Sequence, residues 1–240
     1  MIRRYAMFSA LAFWMAFSGV RADESGDPSD IARTPPEGVG EFAAGVVVHV
    51  AGGVHLLQTW LTDAGESVPA PGDLLHPGDV LATDADGELE IVWGVNVRLR
   101  LGRSSRISIV SGAAPAPPDP AVDAPTAGVG RALWRLWRGT ARVRVRENIL
   151  YPASLLLAFS SHNLVTIRRG DAAMRLDASG PQVWVGAGGV EIASPAWRGE
   201  LSAGESFSGD KVVPWRGGGI SDWVADLAFS VDRANELLPP

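Results

Sequence analysis

The sequence predicts an all-β fold, an antiparallel β-sandwich or roll of many short strands with one C-terminal amphipathic helix. Three observations predict it. Two runs alternate apolar with polar residues at the period of two that sets one strand face on a core and the other in water: Val95, Val97, Leu99 and Leu101 against Asn96, Arg98 and Arg100, then Ala141, Val143 and Val145 against Arg142, Arg144 and Arg146. The chain of 240 residues holds 28 Gly and 17 Pro, which punctuate it too often for long helices. Helical spacing appears in one place, the tail.

In chain order, Met1 to Ala22 reads as a cleavable signal peptide. MIRRY is a short basic start, Ala6 to Val20 is apolar, and Val20-Arg21-Ala22 offers small residues at the −3 and −1 positions before Asp23. The apolar stretch is short against the roughly 20 residues of a membrane-spanning helix, so no stable span is expected once it is cleaved. With 21 basic and 27 acidic residues in the whole chain, loss of three arginines from this segment leaves a formal charge of −9. Such a chain is ill suited as a whole to nucleic acid. Residues 23–44 are acidic and rich in Pro and Gly without apolar periodicity, which reads as a flexible leader.

The β domain is expected over 45–209. Its strands are expected at Gly45 to Val50, Val54 to Trp60, Glu88 to Trp93, Val95 to Leu101, Ile107 to Val110, Ala141 to Arg146, Leu155 to Phe159, Leu164 to Arg168, Ala172 to Leu176, Val183 to Val185, Val190 to Ile192 and Gly199 to Leu201. Turn pairs such as Asp86-Gly87, Ser179-Gly180 and Gly188-Gly189 separate them. The stretch 113–130 has five prolines in 18 residues and fits neither a helix nor a central strand, so it reads as a loop inserted in one domain. In the tail, Ile220, Trp223, Val224, Leu227, Val231, Ala234 and Leu238 recur at helical spacing behind Ser221 as N-cap, predicting a helix over 220–238.

The order of motifs resembles the FecR domain family. His76 to Val110 carries Gly78-Asp79, the apolar pair Val80-Leu81, Thr83, Gly94 and Ser104 or Ser105 in the family's sequence of features. LWRGTARVRV places Gly139 at the family's strand-entry glycine, FSSHNLVTIRRGDAAMRL is similar to its central strand with Asp171 in place of the usual Thr, and VWVGAGGVEIA and LSAGESF resemble its closing strands. The resemblance implies a β fold, a periplasmic setting and a role in interaction. It does not carry over the family's signalling circuit, because the chain has five residues ahead of its apolar run and so no expected anti-sigma segment.

Chemistry is sparse. With no Cys, disulfides, thiolate metal sites and a Cys nucleophile are excluded. His49, His55, His76 and His162 lack a catalytic signature, and Asp79, Asp84, Asp86 and Glu88 do not complete a calcium loop; Asp84 to Gly87 makes a hairpin turn without metal. No enzyme activity, cofactor or metal is expected. The most uneven charge is basic: six arginines in the 16 residues 131–146, interleaved with tryptophans, make Arg131, Trp134, Arg135, Trp137, Arg138, Arg142, Arg144 and Arg146 the candidate partner-binding surface. The competing reading is the solvated face of a strand, its arginines paired to Glu88 and Glu90 on a neighbour. The expected function is an exported, non-enzymatic interaction or sensory module of the bacterial cell envelope, its partner another envelope protein. Peptidoglycan or another anionic envelope polymer is the alternative ligand.

Overall fold

The structure is a computed structural model that describes residues 44–59, 65–113, 130–147, 153–159, 163–195, 197–208, 211–214 and 222–230. The expected signal peptide, all but the last residue of the leader, residues 114–129 and His162 lie outside the described residues. The strands are β1 (Gly45–Ala51), β2 (Val54–Gln58), β3 (Glu66–Ser67), β4 (Leu74–Leu75), β5 (Asp79–Thr83), β6 (Glu88–Trp93), β7 (Val97–Leu101), β8 (Arg106–Ala113), β9 (Gly130–Val145), β10 (Ala153–Ala158), β11 (Leu164–Asp177), β12 (Gly180–Ala193), β13 (Arg198–Ser202), β14 (Glu205–Ser208) and β15 (Lys211–Pro214). They form one continuous sheet whose main path runs β15-β14-β12-β11-β10-β9-β7-β6-β1-β4. The described residues are nearly all β, as the alternation predicts.

Strand β9 organises the sheet. Its first half lies between β8, antiparallel, and β10, parallel; its second half lies between β7 and β11, both antiparallel. The sheet is therefore mixed, where a purely antiparallel one was expected. A parallel neighbour needs a long return path, and residues 136–152, the first ten of them in β9 itself, supply it before Ala153 pairs with Gly130.

The inward positions of β9 change parity along its length. Ala132, Trp134 and Leu136 are buried before the midpoint, Ala141, Val143 and Val145 after it. An even-to-odd switch requires an extra residue in the strand, and the register with β8 slips where Arg106 faces Arg138 but Ile107 faces Leu136. Gly139 sits at the switch with φ of 86°, and a Cβ there would lie 2.2 Å from Ser105 Oγ. The same parity change explains why β11 and β12, continuous strands of 14 residues each, read in the sequence as two short strands apiece. Strand β5 was not expected because residues on both its faces are buried, which erases alternation; β3, β4, β14 and β15, of two to four residues each, were not expected either.

One cluster of buried side chains draws on both halves of the sheet, from Val54, Leu81, Ile107 and Trp134 to Leu99, Val143, Met174 and Val183. A polar seam ties its rim. Thr83 Oγ1 donates to the Gly102 carbonyl at 2.5 Å and accepts from Ser105 N at 2.9 Å, while Ser105 Oγ accepts from Thr140 N at 2.8 Å. Thr83, Ser105 and Gly139, which carry much of the family resemblance, thus have local architectural tasks.

The expected helix over 220–238 is not seen. Among the described residues helix is present at α1 (Asp222–Ala225), a single turn, is interrupted over 226–229 and is present again at Ser230, and residues 231–240 lie outside the described residues. Beyond α1, Leu227 and Phe229 are both buried and Ser230 binds the sheet. Separate seats for these side chains replace the one apolar stripe that a continuous helix would have offered.

Candidate functional site

On the outward face of β6, β7, β9 and β11 the register sets charges in rows. Glu90 faces Arg100, which faces Arg142; Val92 faces Arg98, which faces Arg144, which faces Asp171. Like charges directly across a strand pair repel. The repulsion is relieved sideways. Arg100 turns to Glu88 and, at 2.7 Å, to Glu90, while Arg142 grips Asp171 with Nε and Nη2, both at 2.8 Å. Arg144 Nε donates to Asp171 Oδ2 at 3.0 Å, and Arg98 stands 3.8 Å from Glu90.

The C-terminal segment covers this network. Ser230 donates to Glu90 from N at 2.5 Å and from Oγ at 2.9 Å, and the Phe229 ring lies 5.4 Å from the Arg142 guanidinium and 4.7 Å from that of Arg144. Val224 and Leu227 pack with Ala173 against Trp184 and Trp223. Glu90 and Arg100 are fully buried and Asp171 is 8% exposed, so these charges depend on one another rather than on water.

The structure therefore divides the predicted surface. Arg142 and Arg144 both pair with Asp171. Trp134 is 1% exposed and belongs to the core, not to a surface, because it falls on the inward parity of β9. Arg131, Arg138 and Arg146 are exposed. Arg135 lies 5.0 Å from the Trp137 ring, burial drawing its guanidinium below the ordinary value, and Trp137 Nε1 donates to Ser108 Oγ at 3.0 Å. Arg106 and Ser108 of β8 face Arg138 and Arg135. One outward basic face results, made of Arg106, Arg131, Arg135 and Arg138 around Trp137. Arg106 was not singled out from the sequence, although its alternation with Ile107, Ser108 and Ile109 marks it as outward.

A separate cleft of about 80 Å³ lies at the end of β7 and β9, lined by Arg98, Arg144, Arg146, Asn96 and the valines beside them. No family model matches the chain, and no curated protein matches it. Two solved structures from Parabacteroides distasonis ATCC 8503, each described as a "putative anti-sigma factor", are similar to it in part. One is 12% identical with a TM-score of 0.39 over 58% of this chain and 57% of that one; the other is 14% identical with a TM-score of 0.38 over 58% and 56%. The chain thus spans little more than half the length of either.

The acidic residues of β5 and of the β5–β6 turn are directed to separate partners. Asp79 Oδ2 accepts from His76 N at 2.8 Å, Asp86 Oδ1 from Gly53 N at 3.2 Å, and Asp84 Oδ2 meets His55 Nε2 at 3.0 Å. His55 Nδ1 meets Glu66 on its other side. Its bond to Asp84 holds the imidazole pKa above the ordinary value; partial burial opposes that rise, and the charges of Asp84 and Glu66 reinforce it. Among the described residues, no three His, Asp or Glu side chains are grouped to hold a metal ion.

Proposed function

We propose that this chain is an exported, non-enzymatic interaction or sensory module of FecR-domain type, acting in the bacterial cell envelope, with its β strands in a sandwich-like or rolled arrangement. Its β8–β9 face receives an acidic stretch of another envelope protein. The observation that carries the reading is the unequal fate of one arginine row. Arg142 and Arg144 are neutralised within the fold, whereas Arg106, Arg131, Arg135 and Arg138 form an outward face around Trp137 on a chain of net charge −6. Arginine forks suit carboxylates and a neighbouring ring adds apolar contact, the combination that anchors protein interfaces. Export rests on the segment 1–22 and its Val20-Arg21-Ala22 site, so intact mass of the periplasmic protein should begin at Asp23.

The test is a triple reversal, Arg131→Glu, Arg135→Glu and Arg138→Glu, compared with the unaltered protein in capture from envelope extract and in co-sedimentation with purified peptidoglycan. Loss of a salt-sensitive protein partner with little change in melting temperature is expected. Loss of peptidoglycan binding alone would favour the polymer ligand. Unchanged capture in both assays overturns the face as a binding surface.

A further inference from the structure

We infer that the outward face of β6, β7, β9 and β11 is a recognition surface for an acidic amphipathic segment of a partner protein, and that residues 222–230 of this chain occupy it in cis as a displaceable cover. The surface is separate from the β8–β9 face and does not rest on that assignment. Its sequence is that of a wet face. Arg98 and Arg100 in β7 and Arg142 and Arg144 in β9 alternate with Val97, Leu99, Val143 and Val145, the pattern of strands with one side in water. The fold instead closes that side with Phe229 and Ser230, leaving Glu90 and Arg100 fully buried. Ion pairs taken out of water contribute little net stability, so apolar residues at these positions would hold a permanent cover more firmly. Disagreement between local pattern and tertiary burial marks functional or strained sites.

The segment is docked as a ligand is, outside the core. None of residues 222–230 belongs to the main buried cluster. Val224 and Leu227 make a small cluster of their own with Ala173, Trp184 and Trp223. Their spacing of three residues, with Phe229 following, is that of the anchors by which an amphipathic segment seats in a groove. Both rings of the segment lie against arginine: Phe229 at 5.4 Å from Arg142 and 4.7 Å from Arg144, Trp223 at 5.4 Å from Arg175. Ser230 completes the contact by donating from N and Oγ to Glu90. In sequence the segment carries Asp222 and Asp226 and no basic residue, which suits a face set with guanidiniums. The surface thus reads apolar anchors, an aromatic ring over paired guanidiniums, a donor for Glu90 and a surplus of acid. A tethered segment acts at an effective concentration of about 1 mM, so an affinity of roughly 10 to 100 µM in trans keeps the cover shut about 90 to 99% of the time yet open to a stronger competitor.

The test places a protease recognition site at Gly218 in the otherwise full-length protein and uses a fluorescent peptide of residues 220–232 as the probe. The uncleaved protein should take up the peptide at least about tenfold more weakly than the cleaved one, because the tethered segment holds the face. After cleavage the C-terminal fragment should dissociate on dilution while the remainder keeps a cooperative thermal transition. The peptide should then rebind with a Kd of roughly 10 to 100 µM that rises with salt. Phe229→Ala in the peptide should weaken binding at least about tenfold, the weight of a ring against two guanidiniums, and Asp222→Lys with Asp226→Lys should do the same. Loss of cooperative melting on release of the fragment, or a fragment that stays bound through gel filtration at nanomolar concentration, overturns the segment as a displaceable cover. Wild-type affinity in the lysine peptide overturns the acidic partner, and a concentration-dependent dimer of the uncleaved protein overturns a foreign partner in favour of a second copy.

Discussion

Asp171 shows how much one side chain decides. Its carboxylate is the shared acceptor of Arg142 and Arg144 beneath the Phe229 ring, and it stands where the resembling family has Thr. The Asp171→Asn variant keeps the shape but leaves two largely buried guanidiniums without their anion, so a loss of about 3 kcal/mol is expected in urea unfolding. A loss under about 1 kcal/mol would show that water or Phe229 suffices. His55 gives a pH dependence at the same scale. Its pKa in the folded chain is raised, so the bonds to Asp84 and Glu66 contribute fully below the unfolded value of about 6.5 and fade as pH rises through the raised folded value. The His55→Gln substitution should therefore lower the melting temperature more at pH 5.5 than at pH 8.5, modestly, because the side chain is 35% exposed and screened. An equal effect at both pH values would contradict the assignment.

At the scale of elements, legibility followed geometry. β7 and the second half of β9 were read from alternation because one face of each is apolar and the other is charged, even where the charge is buried as at Arg100, whereas β5, with Val80 and Leu81 side by side and both faces buried, gave no such signal. The bulges that join the halves of β9, β11 and β12 were visible only as interruptions. Ala113 at the end of β8 faces Arg131 of β9, so the proline-rich stretch between them connects neighbouring strands. Neighbouring strands are about 5 Å apart, a gap that a short turn spans, and closure entropy changes slowly with length. Replacing residues 115–128 with a four-residue Gly-Ser-rich connection should accordingly move the melting temperature by no more than about 2 to 4 °C. Loss of a cooperative transition would mean that the stretch contributes packing of its own.

For the molecule as a whole, the sequence by itself determined the all-β class, most strand positions, the inward apolar residues of the alternating strands β7 and the second half of β9 and the local excess of arginine, because each is written in short-range periodicity and composition. Tertiary structure alone decided what the arginines do. Arg142 and Arg131 belong to one strand and read alike, yet a bulge at Gly139, a carboxylate from β11 and a ring from the far C-terminus neutralise and cover the first, while the second stays exposed. Likewise Asn96 and Arg146 lie 50 residues apart and meet only through the β7–β9 register. Burial and charge pairing are properties of neighbours in space, and a sheet built from distant strands chooses neighbours that no window along the chain contains.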